Sequence, residues 1–383
     1  MGPLAGIKVI ELGGIGPGPF AAALLADLGA DVIRIDRLAP AGGGLAMPHK
    51  FMPIHRGMRS LAMDLKNADA IAALHKLITK TDALIEGFRP GVAERLGCGP
   101  DACLARNPRL VYGRMTGWGQ DGPLAQTPGH DINYIALSGV LHSIGSPGGP
   151  PVPPLNLTGD FGGGSLYLAL GIVSALLECR SSGRGQIVDA AMIDGSASLM
   201  SLMYGMRAGG LWNDERGSNR LDSGAPHYNV YETRDGKHIA LGSNEPQFYR
   251  NTLELLGLGG EDLPAQQDSE RWPAMRERFA AIFKTRTRDE WCAVMAGKEV
   301  CFAPVLSMGE APEHPPSKAR STFVEHDGIV QPAPAPRFSR TPASIQRGAP
   351  SPGQHTDEVL AAWGFDQAER AALHAAGAIR QSP

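Results

Sequence analysis

The sequence predicts an α/β fold, and two observations support this prediction. Short apolar runs alternate with segments of helical periodicity along the first half of the chain, which is the pattern of βαβ units in a parallel sheet. The 383 residues are 43% hydrophobic and 20% charged. A soluble chain of this length and composition can bury the core of a large domain and of a smaller one.

The first elements form a βαβ unit. Residues 7–12 (IKVIEL) predict a buried strand, FAAALLADLGA predicts a helix, and residues 30–36 (ADVIRID) predict a second strand. The glycine-rich turn between them matches a dinucleotide fingerprint at Gly16, Gly18, Ala21 and Asp36. Pro17 and Pro19 each remove a backbone N–H that would face a pyrophosphate, so a nicotinamide or flavin cofactor is not favoured.

Further strands carry cations at their ends. Residues 60–66, 82–88 and 110–119 predict strands, with the helix DAIAALHKLITKT after the first and a short helix (VAERLG) after the second. Open α/β sheets bind ligands at the carboxyl ends of their strands. The cations expected there are Arg37, Lys66, Arg89 and Arg95. Each alone is typical of a solvated surface, but together they favour an anionic, phosphate-bearing ligand.

The second half of the chain predicts helices and a small hairpin unit. GSLYLALGIVSALLECRSS predicts a long buried helix, and DGSASLMSLMYGMRAGG predicts another apolar one after the strand GQIVDAAM. YNVYET and HIALGS, joined by RDGK, predict a hairpin. A mostly helical stretch and a short strand, CFAPVLS, complete an α+β unit at 229–318. A proline-rich tail then leads to two short helices.

Charge and cysteine usage exclude several classes of protein. The net charge of −3 is spread along the chain, so we expect no nucleic-acid partner and no anionic membrane surface as partner. The N-terminus lacks a signal-peptide pattern, and no run of about 18 apolar residues occurs. We therefore expect a cytoplasmic protein that does not enter a membrane. The scattered cysteines are typical of reduced thiols (Cys98, Cys103, Cys179, Cys292 and Cys301).

Three acid–base groups stand beside turns or glycines. His130 follows Gly129, and a histidine can accept or donate a proton near neutral pH. Asp160 precedes a run of three glycines at the start of an apolar helix, whose N–H groups could face a developing oxyanion. Glu245 lies between a strand and a proline that opens a helix. Each also has a structural explanation, namely a core histidine, a helix N-cap and a capping or surface glutamate. No nucleophile elbow, Walker loop or metal-ligand spacing occurs in the sequence.

Long segments of the sequence resemble one known family. They include PLAGIKVIELGGIGPGPFAA, LLADLGADVIRIDR, EGFRPGVAERLG, RMTGWGQDGPLAQTPGHDINY, PPLNLTGDFGGGS, GRGQIVDAAMIDGS, GAPHYNVYE and NEPQFY. These segments are similar to the class III coenzyme A transferase superfamily, most closely to its alpha-methylacyl-CoA racemase branch. The loop at 38–59 departs from the family pattern because it is lengthened.

The resemblance implies an activity and a set of site residues. The reaction would be a 1,1-proton transfer that interconverts (R)- and (S)-2-methylacyl-CoA through an enolate, without a metal or redox cofactor. His130 and Asp160 would be the two bases, and Glu245 would orient and charge the imidazole. The CoA-contacting positions implied are Arg37, Met63, Asp64, Leu65, Lys66, Gly87, Phe88, Arg89, Arg95, Gly129, Asp131, Ile132, Asn133 and Tyr134.

The resemblance also implies a domain organisation and an assembly. A large Rossmann-like, CoA-binding domain at 1–191 would be completed by 335–383. A linker at 192–228, the small α+β domain at 229–318 and a return linker at 319–334 would follow residue 191. Two chains would interlock as a homodimer, in which Glu245 would serve its own or the partner's site.

Two other functions remain open at this point. A CoA transferase that moves CoA between carboxylates would use Asp160 as a nucleophile and would not require the imidazole of His130. A non-catalytic CoA-binding protein would need neither residue for its function.

Overall fold

The computed structural model describes residues 2–39 and 47–382. Residues 40–46, which belong to the lengthened loop predicted at 38–59, lie outside the described residues. The chain forms two compact units. The first comprises Met1–Ser138, Leu155–Leu199 and Pro316–Pro383, and the second comprises Gly139–Pro154 and Met200–Pro315.

The elements follow the predicted alternation. The strands are β1 (Lys8–Leu12), β2 (Asp31–Asp36), β3 (Arg59–Met63), β4 (Ala83–Glu86), β5 (Val111–Thr116), β6 (Ile187–Ala191), β7 (Tyr228–Glu232), β8 (His238–Gly242), β9 (Phe302–Pro304), β10 (Phe323–His326), β11 (Ile329–Pro332) and β12 (Ile379–Arg380). The helices are α1 (Pro17–Asp27), α2 (Ala68–Ile78), α3 (Val92–Arg95), α4 (Pro100–Leu104), α5 (Asp131–Leu137), α6 (Tyr167–Ser182), α7 (Met192–Leu199), α8 (Ser201–Ala208), α9 (Pro246–Leu255), α10 (Trp272–Phe283), α11 (Arg288–Met295), α12 (Pro315–Arg320), α13 (Thr356–Ala362) and α14 (Gln367–Ala375). A π-helix, Leu157–Leu166, leads directly into α6.

The first unit is built on a seven-stranded sheet in the order β12-β3-β2-β1-β4-β5-β6. Strands β1 to β6 are parallel, and β12 pairs antiparallel with β3. The order 3-2-1-4-5-6 is that of a Rossmann sheet, whose direction of growth reverses between β1 and β4. The predicted α/β fold with a parallel sheet is confirmed.

Helices cover both faces of this sheet. Successive residues of a strand point to opposite faces. Ile10 and Leu12 of β1 join the core cluster that contains residues of α2 and α13, whereas Val9 joins the cluster that contains residues of α1 and α6. The strands are therefore apolar on both sides, as buried parallel strands require.

Helix α6 buries only one face. Leu168 and Ile172 are fully buried, whereas Leu170 is 64% exposed and Leu177 is 67% exposed. The prediction of a buried helix is therefore wrong for the outer face. The physical reason is that α6 packs on β5 and β6, and β6 is the edge strand of the sheet.

One helical stretch is also long and apolar enough to cross a membrane. An 18-residue window within Leu157–Ser182 has a mean hydropathy of 1.4, and 33% of that window is buried. Length and composition alone do not distinguish a spanning helix from a core helix of this kind. The expectation that the protein does not enter a membrane stays a prediction.

The second unit has its own sheet and core. Strands β7, β8 and β9 form an antiparallel sheet, in which the β7–β8 hairpin is the one predicted. Helices α10 and α11 pack on it through aromatic residues. The ring of Tyr231 stacks on Phe283 at 5.0 Å, and Trp291 meets Phe283 edge-on at 5.0 Å.

The compact units and the predicted domain bounds divide the chain differently. Residues 139–154 belong to the second unit, although the large domain is predicted at 1–191. The segment predicted as a linker at 192–228 begins with two helices, α7 and α8. Helix α7 belongs to the first unit because it packs closely on the π-helix.

Candidate active site

A buried ion pair fixes the loop that follows β1, at the point where the strand order reverses. Glu11 accepts a hydrogen bond from the N–H of Gly14 at 2.7 Å and another from Arg34 at 2.7 Å. Arg34 also donates to the Gly14 carbonyl at 3.0 Å and to Asp36 at 2.9 Å. Glu11 and Arg34 are direct partners in the register of β1 and β2. Burial raises the pKa of Glu11, and Arg34 opposes that rise. The network fixes both backbone polar groups of Gly14 and so the path of the glycine-rich loop.

The π-helix that carries Asp160 needs its glycines for close packing. A Cβ atom on Gly163 would lie 2.6 Å from the backbone nitrogen of Ser196, and one on Gly164 would lie 2.9 Å from the side chain of Met192. Gly162–Gly164 lie inside the helix, where N–H groups donate to earlier carbonyls of the same helix. The structure therefore contradicts the idea that their N–H groups face an oxyanion. It also places Asp160 inside the first helical turn rather than at an N-cap.

Asp160 is half-buried and touches several polar groups. Its carboxylate accepts a hydrogen bond from Asn156 at 3.1 Å, and its backbone N–H donates to Asp131 at 2.7 Å. A Cβ atom on Gly16 would lie 3.3 Å from its Oδ2 atom, so the glycine loop after β1 borders the carboxylate. Burial raises the pKa of Asp160. Asn156 lowers it, the charge of Asp131 raises it, and His130 lowers it.

His130 opens helix α5 on the exposed side of the same region. It is the N-cap residue, and its backbone N–H donates to the side chain of Asn133 at 3.0 Å. Its imidazole lies close enough to Asp160 to affect the pKa of that carboxyl group. The next residue, Asp131, is buried, whereas Ile132 is 45% exposed. The structure thus brings the two predicted bases into one electrostatic neighbourhood.

Tyr134 connects this region to the loop after β4. Its ring meets Trp118 edge-on at 4.8 Å. A Cβ atom on Gly117 would lie 2.0 Å from the tyrosine ring and one on Gly129 would lie 2.8 Å from it, so glycine at both positions makes room for the ring. Burial raises the pKa of Tyr134 to about 12. Asp160 adds to this rise, and Arg89 opposes it. Asp160 and Arg89 therefore both lie close enough to Tyr134 to affect its pKa.

A second buried ion pair fixes the loop after β4. Glu86 accepts a hydrogen bond from the N–H of Phe88 at 2.7 Å and another from Arg114 at 2.9 Å. Arg114 also donates to Glu94 at 2.9 Å. Glu86 and Arg114 are direct partners in the register of β4 and β5. The pair sets the backbone of Gly87, Phe88 and Arg89, three of the predicted CoA-contacting positions.

Three other predicted positions line one cavity. It has a volume of about 470 Å³ and is lined by Leu65, Lys66, Ala68, Ile71, Glu94, Arg95, Leu96 and Gly97. Leu65, Lys66 and Arg95 therefore come together across the ends of β3 and α3. Lys66 and Arg95 supply positive charge and Leu65 and Ile71 supply apolar surface, which suits a phosphate joined to a flat ring system.

Other predicted residues lie near the same sheet edge or in the other unit. Met63 is the last residue of β3 and is buried, and Asp64 accepts a hydrogen bond from the N–H of Lys66 at 3.0 Å. Arg37 is exposed just beyond β2. Glu245 belongs to the second unit. The pairing of Glu245 with His130 stays a prediction.

The surroundings of Glu245 hold its backbone in place. It is the exposed N-cap residue of α9, and its carbonyl accepts a hydrogen bond from Tyr249 at 2.9 Å. The preceding carbonyl, that of Asn244, accepts hydrogen bonds from Arg220 and Gln266, each at 2.9 Å. The carboxyl group is thus presented by a fixed backbone.

Sequence reasoning missed the residues that support the site. They are Glu11, Arg34, Glu86, Arg114 and Asn156. The signal for the first four is a charged residue in an otherwise apolar strand, because such a residue is rarely buried without a partner. Asn156 gives no comparable signal, since it lies in a polar loop where asparagine is common.

Comparison with known proteins identifies the family. Residues 4–356 match the model of CoA-transferase family III. The chain is 46% identical over 374 residues to the alpha-methylacyl-CoA racemase of Mus musculus, covering 97% of this chain and 96% of that protein. It is 44% identical over 369 residues to the alpha-methylacyl-CoA racemase of Homo sapiens, covering 96% and 94%. A crystal structure of a CAIB/BAIF family protein from Brucella suis superposes with a TM-score of 0.82 at 26% identity and covers 95% of this chain and all of that one. The predicted resemblance is confirmed, and the chain belongs to CoA-transferase family III.

Proposed function

We propose that this protein is an isomerase, a racemase that interconverts the R and S forms of 2-methylacyl-CoA thioesters. The observation that carries the proposal is the closeness of His130 to Asp160, whose pKa the histidine lowers against the rise that burial causes. The identity of 44–46% to relatives named alpha-methylacyl-CoA racemase supports the same reading.

The proposed reaction is a 1,1-proton transfer with two bases. One base removes the proton from the carbon α to the thioester, which gives an enolate. The other base, on the opposite face, returns a proton to the same carbon and inverts it. His130 and Asp160 take these two roles and exchange them when the reaction runs in reverse. The chemistry needs acid–base groups only and calls for no metal or redox cofactor.

The raised pKa of Asp160 supports this pairing. An ordinary aspartate is far more acidic than an imidazolium, so it would rarely hold a proton while a neighbouring histidine is neutral. Burial raises the pKa of Asp160, so its carboxyl group holds a proton more readily than an exposed aspartate does. A carboxyl group tuned in this way can serve as the acid as well as the base.

The CoA part of the substrate is proposed to follow the strand ends. Lys66 and Arg95 border the cavity of about 470 Å³, and Arg89 lies close enough to Tyr134 to lower its pKa. A phosphate-bearing carrier along this edge would place its thioester beside the two bases.

The decisive experiment follows the α-proton. Purified protein is incubated in D₂O with a single enantiomer of a 2-methylacyl-CoA and no acceptor acid. We expect deuterium at the α-carbon together with inversion. His130→Ala and Asp160→Ala should abolish inversion and keep CoA affinity by calorimetry, whereas His326→Ala, a matched control on β10, should behave as wild type. No exchange by the wild-type protein would refute the proposal.

The second candidate function is CoA transfer between carboxylates, which the name of the family favours. Asp160 would then attack the thioester and form an acyl anhydride with release of the CoA thiolate. Transfer of CoA to an added acid in the absence of α-proton exchange would favour this alternative. Loss of all activity in His130→Ala would argue against it.

A homodimer is the proposed assembly. Leu170 and Leu177 of α6 are exposed, as are Leu166 at the end of the π-helix and Ile187 on the edge strand β6. Exposed apolar residues on a sheet edge and its covering helix are typical of a subunit contact. A second copy of the chain would cover them and would allow Glu245 to serve either site.

Sedimentation of point variants tests the homodimer. Leu170→Asp places a charge on the exposed face of α6, and we expect it to convert the dimer to monomers. Val330→Asp is the matched control, because Val330 is similarly exposed, at 58%, on the hairpin β10–β11. A wild-type protein that sediments as a monomer at micromolar concentration would refute the proposed assembly.

A further inference from the structure

The carboxylate of Asp131 is buried beside the proposed bases, and the proposed proton transfer gives it no role. The residue is 5% exposed. Its Oδ1 atom accepts the backbone N–H of Asp160 at 2.7 Å. Its Oδ2 atom is buried without a hydrogen-bond partner among the described residues. Burying a carboxylate oxygen in this way costs free energy, so the arrangement calls for a reason.

Close packing at Gly159 allows Asp131 to contact the backbone of Asp160. A Cβ atom on Gly159 would lie 2.5 Å from Oδ1 of Asp131, so only glycine allows this approach without a shift. Asp131 is the first residue of α5 and directly follows His130, while Asp160 lies on the π-helix. One side chain therefore joins the two helices that carry the two bases.

The charged groups around Asp160 are few and act in opposite directions. From α5, the charge of Asp131 opposes ionisation of the Asp160 carboxyl group and His130 favours it. Tyr134 also faces Asp160 from α5. From the π-helix side, Asn156 donates to the ionised carboxylate at 3.1 Å. From the loop before α1, Gly16 contributes no charge.

We propose that Asp131 is a positioning residue for the proton transfer, which fixes the peptide of Asp160 and holds a buried carboxylate beside that residue. The negative charge of Asp131 favours the protonated form of the Asp160 carboxyl group. This inference rests on the proposed racemase function. A two-base racemase is active only when its pair of bases holds one proton in total, because one base must accept while the other donates. The charge of Asp131 holds that shared proton more tightly.

The sign of the effect follows from electrostatics. A negative neighbour raises the pKa of a carboxyl group, and the charge of Asp131 acts in this direction on Asp160. Removing it should move the acid limb of the bell-shaped profile of kcat/KM against pH to lower pH. Losing the hydrogen bond from Asn156 should have the opposite effect on the acid limb, because Asn156 stabilises the ionised carboxylate.

The test is a set of pH profiles of α-proton exchange. Asp131→Asn keeps an oxygen for the N–H of Asp160 and removes only the charge, so we expect the acid limb of the profile to shift to lower pH. Asn156→Ala should shift the acid limb to higher pH. Asp101→Asn is the matched control, since it removes an exposed carboxylate from the first turn of α4 and should leave the profile unchanged.

The outcomes separate this inference from the proposed function. If the wild-type protein shows no α-proton exchange, the racemase proposal fails. If the wild type exchanges and Asp131→Asn has an unshifted profile, or one lowered equally at every pH, the role of Asp131 is overturned. If circular dichroism shows that Asp131→Asn folds poorly, Asp131→Ser takes its place. The exchange rate of Asp131→Ser should fall at all pH values, and the acid limb of its profile must still shift to lower pH.

Discussion

Replacement of Arg114 by methionine tests two effects of the buried ion pair at the end of β4, namely its contribution to stability and its support of the loop that carries Arg89. The side chains of Arg114 and Glu86 are 9% and 0% exposed. Methionine keeps most of the apolar stem of arginine but removes the charge. The substitution leaves Glu86 buried without its counter-ion, and Phe88 still donates its N–H to the unpaired carboxylate.

The expected loss of stability is large. Unit charges 2.9 Å apart attract by roughly 6 kcal/mol at an effective dielectric constant of about 20. Part of this attraction only offsets the cost of burying the charges. Variants that break a buried pair by removing one partner typically lose about 3–5 kcal/mol. We expect a loss in this range for Arg114→Met, measured by urea denaturation followed by circular dichroism.

A double variant distinguishes stability from function. Glu86→Leu combined with Arg114→Met removes both charges, so most of the lost free energy of unfolding should return. The N–H of Phe88 then has no carboxylate acceptor, and the loop that carries Arg89 loses its support. KM for the acyl-CoA should therefore stay raised in the double variant although its stability recovers.

The pH dependence provides a further check. Burial raises the pKa of Glu86 and Arg114 opposes the rise, so removing Arg114 raises the pKa further. A carboxyl group with a raised pKa in the folded state binds protons more readily than the unfolded chain does, which stabilises the fold as pH falls. The loss in free energy of unfolding caused by Arg114→Met should therefore become smaller at acid pH. An equal defect at all pH values, or a loss no larger than that of the exposed pair variant Lys284→Met, would refute the reasoning.

Three further predictions concern packing. His227 is fully buried, neither ring nitrogen has a hydrogen-bond partner in the described part of the chain, and burial lowers its pKa to about 4. Because the unfolded chain binds a proton first, stability is lost as pH falls from about 6.5, by about 3 kcal/mol at pH 4. His227→Phe should remove this loss in denaturation curves at several pH values. Gly163→Ala, whose methyl group would lie 2.6 Å from the Ser196 nitrogen, should lose about 1–3 kcal/mol and lower the melting temperature. Leu168→Ala should lose about 2–5 kcal/mol by denaturation, since Leu168 is fully buried.

The strand pattern made the fold of the first unit predictable. Apolar runs with glycine-rich exits mark buried parallel strands, and nearly every predicted run became one. The exposed face of α6 was not predictable in the same way. The periodicity of apolar residues does not show which neighbours a helix has, and α6 lies over the edge strand β6. A helix that is apolar all round is therefore buried only where another element covers it.

The segments shared with the family predict the acid–base residues, but they do not predict the electrostatics around those residues. The sequence shows that His130 and Asp131 are adjacent. It does not show that Asp131 points away from solvent and accepts the N–H of Asp160. That contact depends on Gly159, which lies 28 positions further along the chain. Long-range packing of this kind determines the pKa of a carboxyl group, and local sequence does not encode it.

The same arrangement, a buried glutamate–arginine pair between neighbouring strands, supports both loops of the candidate site. In each, a glutamate at the carboxyl end of a strand accepts an N–H from its own loop, Gly14 in one case and Phe88 in the other. An arginine in register on the next strand outward supplies the counter-charge. One loop borders Asp160 through Gly16 and the other carries Arg89. Since β1 and β4 flank the reversal of the strand order, a shift in either pair would move one side of the site relative to the other. We therefore expect substitutions of Glu11 or Arg34 to affect proton transfer, and substitutions of Glu86 or Arg114 to affect mainly acyl-CoA affinity.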